Sequence, residues 1–581
     1  GTYSALDGMG NDWTLDGGLS WAASPDNWIY GTVAGGMAHK GSTEGDQAPI
    51  LTIARHQHQA TNGFFNTLWK VNFEGVSRAN SVLALLEQTD DLSTAESNRF
   101  AGEARFLRAH FYFNLKKNFG NVPWVGPDTD GLKQPNTGPN HPDIWAKIEE
   151  DFQFAMNNLP AEQVDVGRAN KWAAAAYLAK TYLYQEKWQE AASLFDDVIA
   201  NGTNPNGTPY ALTSNYQDMF DSATENNSGT VFSIQQKQPQ GSLWGGGALT
   251  SRFGDLLNYP HSPSPWACCG FFQPTLWLVN SYRVDDQGLP TSLDPAQGPN
   301  VKNDQGVEPA ERFELGDQSV DPRLDWTVGR RGIPYKDWGP HPGKLWVREQ
   351  PSAGPFHGLK HVPWSRNADI PAASPLNYKI IRFADVLLMG AEAHAEVGNL
   401  STAREYVNRV RRRAANAGSR VSLDQNKAGA LAVVDSESEM LATSPNQYDW
   451  VVRTDTESTF VFLGGDPSNR DDWNEYELPD YDVEAYPSSA FSSTQKALAR
   501  IRYERKLELA LEGHRFYDLV RWGIADERLD AYYTFETSNL TNDVRNGDFT
   551  PDRNEVYPIP QRQIDLTMQD GEQTLKQNPG Y

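Results

Sequence analysis

Apolar residues recur at three- and four-residue intervals along several long stretches of the chain, which is the period of an amphipathic helix. In 62–86, Phe65, Leu68, Trp69, Phe73, Val76 and Leu83 share one stripe with Asn80. Ser93 with Glu96 three residues on is a capping box, and predicts a helix running to about Phe119. That helix carries Phe106, Leu107, His110, Phe111, Phe113 and Leu115, and stops at Gly120 ahead of Pro123. The pattern returns in 143–159 with Ile144, Trp145, Ile148, Phe152 and Ala155, and Pro160 ends it.

A helical pair follows, 168–185 and then 188–200, closed by Gly202. A second copy lies 211 residues further on. Leu178, Ala179, Tyr182, Ala192, Phe195 and Ile199 fall opposite Met389, Gly390, Ala393, Ala403, Tyr406 and Val410, with Asn399 where Trp188 stands. Small residues at the crossing allow two antiparallel helices to pack closely. The unit resembles a tetratricopeptide helix–turn–helix, which cannot bury its face alone and must stack. The stretch 494–523 is again helical in pattern. There Arg505 with Glu508 and Glu512 with Arg515 stand at ion-pairing distance along a helix, which ends at Gly523.

The intervening segments lack this period. The first 60 residues are rich in Gly, Asn and Asp and read as an irregular lead-in. Residues 201–377 are dense in Gly, Pro, Asn and Trp, with a short strand over 230–235 and a helix over 275–282. Residues 418–493 form a second irregular, acidic insertion, and 556–581 reads as extended, with Pro558, Pro560 and Pro579. The expectation is a mainly α fold of one domain over 1–581. Its helix–turn–helix scaffold covers about 62–200, 378–417 and 494–523, and long loop-rich insertions cover about 201–377 and 418–493, with little β structure. Long loops on a stiff scaffold are where function concentrates.

Charge narrows the function. The 581 residues carry 51 Lys and Arg against 75 Asp and Glu, a formal net charge of −24. Such a chain repels phosphate backbones and has no basic arm, so nucleic-acid binding is not expected. No run approaches a transmembrane span. The sequence opens without a charged-then-apolar leader. The two cysteines, Cys268 and Cys269, are adjacent. They make neither a disulfide framework nor a zinc ligand set. Either they form a vicinal disulfide or they are two free thiols.

Four blocks then coincide with one family. The first is EARFLRAHFYF from Glu103 with FGNVP from Phe119, continued by IEED from Ile148, Leu159-Pro160, and RANK from Arg168. The second is RFADVLLM from Arg382 with AEA from Ala391. The third is ERKLELA from Glu504 with EGHRFYDLVRWG from Glu512. The fourth is YPIP from Tyr557 with QNPGY from Gln577. In this order they resemble the SusD/RagB proteins over nearly the whole chain. The resemblance implies a TPR-like α fold in a Bacteroidetes outer-membrane lipoprotein. Such a protein caps a SusC-type TonB-dependent transporter on the extracellular face, and captures oligosaccharides, or in some members peptides, without catalysis. The family's lipid-bearing cysteine is not among these residues, so the resemblance implies that it lies upstream of Gly1 or has been removed. The block residues Arg105, Arg108, Glu504, Arg505, Glu508 and Arg515 read as helix ion pairs.

The chemistry is expected in the loop aromatics. The chain has 18 Trp, 23 Tyr and 25 Phe. An indole or phenol ring covers the C–H face of a sugar while polar groups satisfy its hydroxyls. The candidates are Trp244, Trp266, Trp277, Trp326, Tyr335, Trp338, Trp346 and Trp364. Trp266 and Trp277 are favoured because they flank Cys268-Cys269-Gly270, and Trp277 stands at a loop–helix junction open to solvent. The expected ligand is a low-charge glycan such as a β-glucan, since an acidic body repels uronates unless a local basic pocket compensates. The acidic stretches 466–472 and 285–286 offer carboxylates for a structural calcium but lack EF-hand spacing, and read better as solvated loops. His56 with His58 and His357 with His361 have metal spacing without a third ligand, so no metal or cofactor is expected. No nucleophile elbow, P-loop, HExxH or dinucleotide fingerprint occurs. A glycoside hydrolase stays as the alternative enzyme reading, and a protein-binding helical adaptor as a third.

Overall fold

The computed structural model describes residues 1–8, 20–139, 141–237, 253–266, 268–309, 311–368, 374–422, 430, 432–434, 450–453, 460–463, 473–539 and 543–581. Its helices follow local chemistry. A short α1, Ala48–Ala54, precedes α2, Gly63–Leu86, where the Asn62 side chain accepts from the Phe64 N–H. The Ser93–Glu96 capping box opens α3, Thr94–Phe119, and Gly120 ends it at φ +63°. Asp143 caps α4, Ile144–Asn158, and Asn170 caps α5, Lys171–Tyr184. These four side-chain acceptors satisfy N–H groups that a helix start leaves unpaired.

Helix α5 and α6, Trp188–Asn201, form one antiparallel hairpin, and α10, Phe383–Glu396, with α11, Leu400–Ala415, form the second. Helix α6 packs on α10, so the hairpins stack. Their turns, 185–187 and 397–399, place Glu186 and Gly398 in the left-handed region at φ +59° and +85°. The offset between copies is therefore 212, not the 211 expected from sequence. Ala191, Phe195 and Val198 then fall opposite Ala403, Val407 and Val410, all buried. One residue of slip turns a helix by about 100°. The Ala-rich α5 offers a small residue at either register, so sequence pattern alone chose wrongly.

The remaining elements knit the loops to this stack. Strands β1, Ala38–Gly41, and β3, Phe271–Pro274, pair antiparallel, as do β2, Thr230–Ile234, with β6, Tyr378–Arg382, and β4, Val328–Gly329, with β5, His357–Gly358. Short helices α7, Leu276–Asn280, α8, Leu324–Thr327, and α9, Gln350–Ala353, lie among them. The second insertion holds four strands, β7, Ala432–Val434, β8, Trp450–Arg453, β9, Phe460–Leu463, and β10, Trp473–Tyr476, in one sheet of order β10-β9-β8-β7. That sheet corrects the expectation of an irregular segment. The C-terminal stretch also departs from the extended reading, with α15, Gln561–Leu566, and a hairpin of β11, Met568–Gln569, and β12, Glu572–Gln573. Helix makes up about 47% and strand about 8%, so the fold is mainly α with small sheets.

Two further expectations are corrected. The stretch 494–523 is not one helix. Helix α12, Thr494–Glu508, ends before a break in which Leu511 and Gly513 take φ +62° and +78°, and α13, Arg515–Arg521, starts afresh, followed by α14, Ala525–Asn539. The reason lies at the N-terminus. A Cβ on Gly513 would sit 1.9 Å from the Asp26 carbonyl oxygen, and one on Gly31 would sit 1.9 Å from the Gly513 carbonyl oxygen. A buried π-helical turn over Trp28–Val33 thus presses against the break. The first segment is accordingly part of the core, with Trp28, Tyr30 and Ala38 buried, rather than a lead-in.

Buried charge organises the interior. Glu508 accepts from Arg323 at 3.0 Å, from Arg382 at 2.5 Å and from Arg413. Glu504 pairs with Arg323 at 2.7 Å and Arg411 at 3.0 Å. Glu512 pairs with Arg382 at 2.7 Å and Lys360 at 2.6 Å, not with Arg515. Arg505 pairs with Asp385 at 2.8 Å and Asp518 at 3.1 Å, not with Glu508. Arg108 holds Asp151 through two hydrogen bonds of 2.7 and 2.8 Å, and Arg105 lies 3.6 Å from the same carboxylate. These ion pairs bridge elements distant in sequence, which is why spacing along one helix misassigned their partners.

Candidate functional site

The loops of the central insertion have a core of their own. Leu256, Tyr259, Trp266, Tyr335, Trp346, Leu359 and Val362 cluster apart from the main interior, with Trp338 and Leu345 packed on them. The Trp266 ring is the hub. It lies 4.8 Å from Trp338, 5.6 Å from Tyr335 at 75°, and 5.6 Å from Trp346 at 90°. Edge-to-face contacts of this kind are favourable beyond the area they bury. The Tyr335 hydroxyl donates to the Gly358 carbonyl at 2.6 Å, and His341 packs 5.3 Å from Trp346.

Six of the seven candidate rings in the described residues lie in the interior. Trp266, Tyr335 and Trp346 form the cluster just given. Trp326 donates its indole N–H to the Ser419 carbonyl at 2.7 Å, and its ring centre lies 6.0 Å from that of Trp364. Trp364 is covered by Arg366, whose guanidinium lies 4.1 Å from the ring centre. Trp277, expected to face solvent at its loop junction, is 5% exposed. Its ring packs 5.6 Å from Phe535, and its backbone N–H donates to Glu536 at 2.6 Å. The physical reason is common to all six. Long loops that carry no regular structure need an apolar core to order them, and large aromatics supply it. Trp244 lies outside the described residues. Cys268 and Cys269, two residues beyond Trp266, are half-buried, and their sulfurs are bonded to one another.

Trp338 is the exception, a half-buried ring mounted on Trp266. Its indole N–H donates to the Pro363 carbonyl at 2.8 Å, which fixes the ring plane. Polar groups stand beside it. Asp337 accepts from the Ser365 N–H at 2.7 Å and lies 3.6 Å from Arg366. Arg366 also donates to Asp221 at 2.5 Å, and Asn367 donates to the same carboxylate at 2.9 Å. Arg366 is exposed, and Asp337 and Asn367 are half-buried. A partly accessible indole on loops that also carry a carboxylate, a guanidinium and an amide brings an apolar ring and hydrogen-bonding groups to one region of the chain. That is what a pyranose presents in reverse. Sequence reasoning named Trp338 but missed Asp337, Arg366 and Asn367, since polar loop residues carry no pattern that sets them apart.

The proposed metal spacings dissolve into structural contacts. His56 shares a hydrogen bond of 2.5 Å with the Tyr533 hydroxyl, and His58 one of 2.8 Å with the Tyr581 hydroxyl. His357 bonds His341 at 2.8 Å, and His361 bonds the Asn258 carbonyl at 2.9 Å. Burial drives the His56 and His357 imidazoles down to about 3. Asp285 accepts from the N–H groups of Gln287 and Leu289, closing its own turn, and 466–472 lies outside the described residues. Among the described residues no group of three His, Cys, Asp or Glu is placed to hold a metal ion, and no helix is long and apolar enough to cross a membrane.

Comparison with known proteins agrees with this architecture. The SusD family model matches residues 213–443 and 475–581, and a model described as starch-binding associating with outer membrane matches 14–183. A SusD-like protein of Formosa agariphila is 25% identical over 488 residues, covering 81% of this chain and 73% of that one. The starch-binding protein SusD of Bacteroides thetaiotaomicron is 24% identical, over 57% of this chain and 60% of its own length. Among solved structures, a laminarin-binding SusD-like protein aligns over 100% of this chain and 97% of its own, with 21% identity and a TM-score of 0.60. Surface glycan-binding protein A of B. thetaiotaomicron, solved with laminarihexaose, aligns over 99% and 98%, with 19% identity and a TM-score of 0.61. The family model spans more than half of the sequence, and the chain belongs to the SusD family.

Proposed function

We propose that this chain binds a neutral oligo- or polysaccharide at the cell surface and delivers it to a SusC-type TonB-dependent transporter, without breaking it. The observation that carries the reading is the half-buried Trp338 on its buried aromatic mount, with Asp337, Arg366 and Asn367 on the adjoining loops. The ring stacks on a sugar face, and the polar groups pair with hydroxyls. Relatives named for starch, laminarin and laminarihexaose support the ligand class. An outer-membrane location on the extracellular face, held by an N-terminal lipid, follows from the same family reading.

Binding is favoured over hydrolysis by how the carboxylates are used. Asp221 and Asp337 are both tied to Arg366. A cavity that does contain two carboxyl residues, Asp26 and Glu512, measures about 30 Å³, room for a water or two and not for a sugar. Affinity electrophoresis against laminarin, fructan and mannan, with wild type and Trp338→Ala, tests the reading. Retardation by at least one neutral glycan, abolished in the variant and indifferent to salt, is the expected result. Retardation unchanged in the variant would reject Trp338 as the platform. Release of reducing ends from the bound glycan would reject the non-catalytic reading.

A further inference from the structure

Many buried cations in the scaffold are matched by carboxylates, as Glu504, Glu508, Glu512, Asp385 and Asp518 show. The cations around one cavity are not. It measures about 320 Å³ and lies between α12, the α13–α14 corner and Trp277. Its wall carries four cations, Arg502, Lys506, Arg515 and Arg528, against one carboxylate, Glu527.

Those cations are poorly served by the protein. Lys506 is 5% exposed, and its ammonium lies 4.1 Å from the centre of the Tyr503 ring. It has no hydrogen bond or ion pair with any described residue. The Arg502 Nε is buried without an acceptor. Arg515 pairs with no described carboxylate; its guanidinium and that of Arg502 lie 5.8 and 5.2 Å from the Trp522 ring centre. Arg528 reaches only the exposed Glu527, at 3.5 Å. Nearby carboxylates are committed elsewhere. Asp518 serves Arg505 and Arg521, Glu392 serves Arg521 and the Trp522 indole N–H, and Asp294 accepts from the Ala296 N–H. Burial, together with the like charges of Arg515 and Arg528, drives the Lys506 ammonium well below its ordinary value, and burial brings Arg515 down to about 10. Ion-pair partners normally offset the cost of burying a charge; buried Lys506 has none among the described residues, and half-buried Arg502 and Arg515 have only their ring contacts.

We propose that this cavity is an anion site, and that its ligand is the acidic group of a saccharide, a uronate carboxylate or a sulfate ester. The site itself stands on the cavity and its unpaired cations; that the ligand is a saccharide rests on the glycan-binding part of the proposed function above, and this acidic group is a second ligand, bound apart from the neutral glycan assigned to Trp338. Guanidinium and ammonium groups are the donors that carboxylate and sulfate oxygens take. The cavity falls at the lower end of small-molecule sites, roughly 300–1,000 Å³. Leu293, Leu498, Ile524 and Trp277 give it apolar walls. A body of net charge −24 repels acidic glycans at long range, and this pocket is a local inversion of that field.

The test uses the full chain in thermal-shift and calorimetric titrations with sodium sulfate, sodium glucuronate and a glucuronate-containing oligosaccharide. Sodium chloride at equal ionic strength and glucose are the controls. Sulfate and glucuronate are expected to raise the unfolding midpoint where chloride and glucose do not. The oligosaccharide is expected to bind more tightly than glucuronate, with an affinity that falls with salt. Lys506→Met and Arg515→Gln should each weaken it at least tenfold. Lys506→Met should also raise the midpoint of the ligand-free protein, because it removes an unpaired buried charge; a merely structural lysine would lower it. Trp338→Ala should leave glucuronate binding unchanged. No response to sulfate or glucuronate would overturn the site, whereas retardation by neutral glycans separately decides the proposed function. Binding of sulfate without the oligosaccharide, or tighter binding of an Asp/Glu-rich peptide, would overturn the saccharide class.

Discussion

Replacing Glu508 by glutamine should unfold the scaffold earlier, and the size follows from what that carboxylate holds. Glu508 is fully buried, and burial works against its charge, but Arg413, Arg382 and Arg323 overcome this and hold its pKa well below the usual range. In Glu508→Gln, Arg323 keeps Glu504 and Arg382 keeps Glu512. Arg413 loses its carboxylate, and its Nε and one terminal nitrogen already lack partners. Breaking a buried pair costs about 3–5 kcal/mol. Unfolding entropy of about 2.1 cal/mol/K per residue gives this 581-residue chain about 1.2 kcal/mol/K. The midpoint should therefore fall by about 3 °C in scanning calorimetry. The control is Glu405→Gln, which removes an exposed pair with Arg412 and should cost about 0.5 kcal/mol or less. Equal midpoints for the two variants would refute the idea that buried pairing, rather than packing, fixes the α10–α12 core.

Acid should act first through histidine. Burial lowers His56, His110 and His357 to about 3 and His514 to about 4, so the unfolded chain takes up protons near 6.5 that the folded chain refuses. Stability thus falls as pH drops below 6.5, by about 2 kcal/mol per residue at pH 5. The depressed carboxylates Asp385 and Asp518 keep their full contribution until about pH 4. A calorimetric midpoint that stays flat between pH 7 and pH 5 would contradict this. Gly513→Ala should be far more damaging than Gly523→Ala, although both glycines have positive φ. A Cβ at 513 meets the Asp26 carbonyl, whereas nothing lies within 4 Å at 523, where the cost is about 1 kcal/mol. Matching midpoints would discount the contact. Cys268 and Cys269 should resist alkylation until reduced, with the peptide lighter by two hydrogens. Reduction should barely move the midpoint, because the bond closes no length of chain.

Local chemistry was legible in the sequence, and contacts across the fold were not. The cap at Ser93 marks a helix start because the acceptor and the N–H it serves lie within three residues, and the structure shows the same local device at Asn62, Asp143 and Asn170. The two hairpins were visible for the same reason. Their register was not, since Ala-rich α5 matches at two offsets and only the turn conformation at Glu186 and Gly398 decides. The break after Glu508 was invisible because its cause, Asp26, lies almost five hundred residues away. The same distinction governs the candidate sites. Tryptophan density singled out the central loops, but a large ring there is used first to order the loop, and Trp266, Tyr335 and Trp346 serve in that way. Trp338 packs on that cluster and is only partly buried. The basic cavity was harder still. Two of its cations, Lys506 and Arg515, lie within a family block whose other charges are paired, so nothing in the sequence separates them from Arg505 and Arg521. The difference is which side of α12 each faces: Arg505 turns toward Asp385 and Asp518, and Lys506 toward a cavity whose one carboxylate, Glu527, does not pair with it.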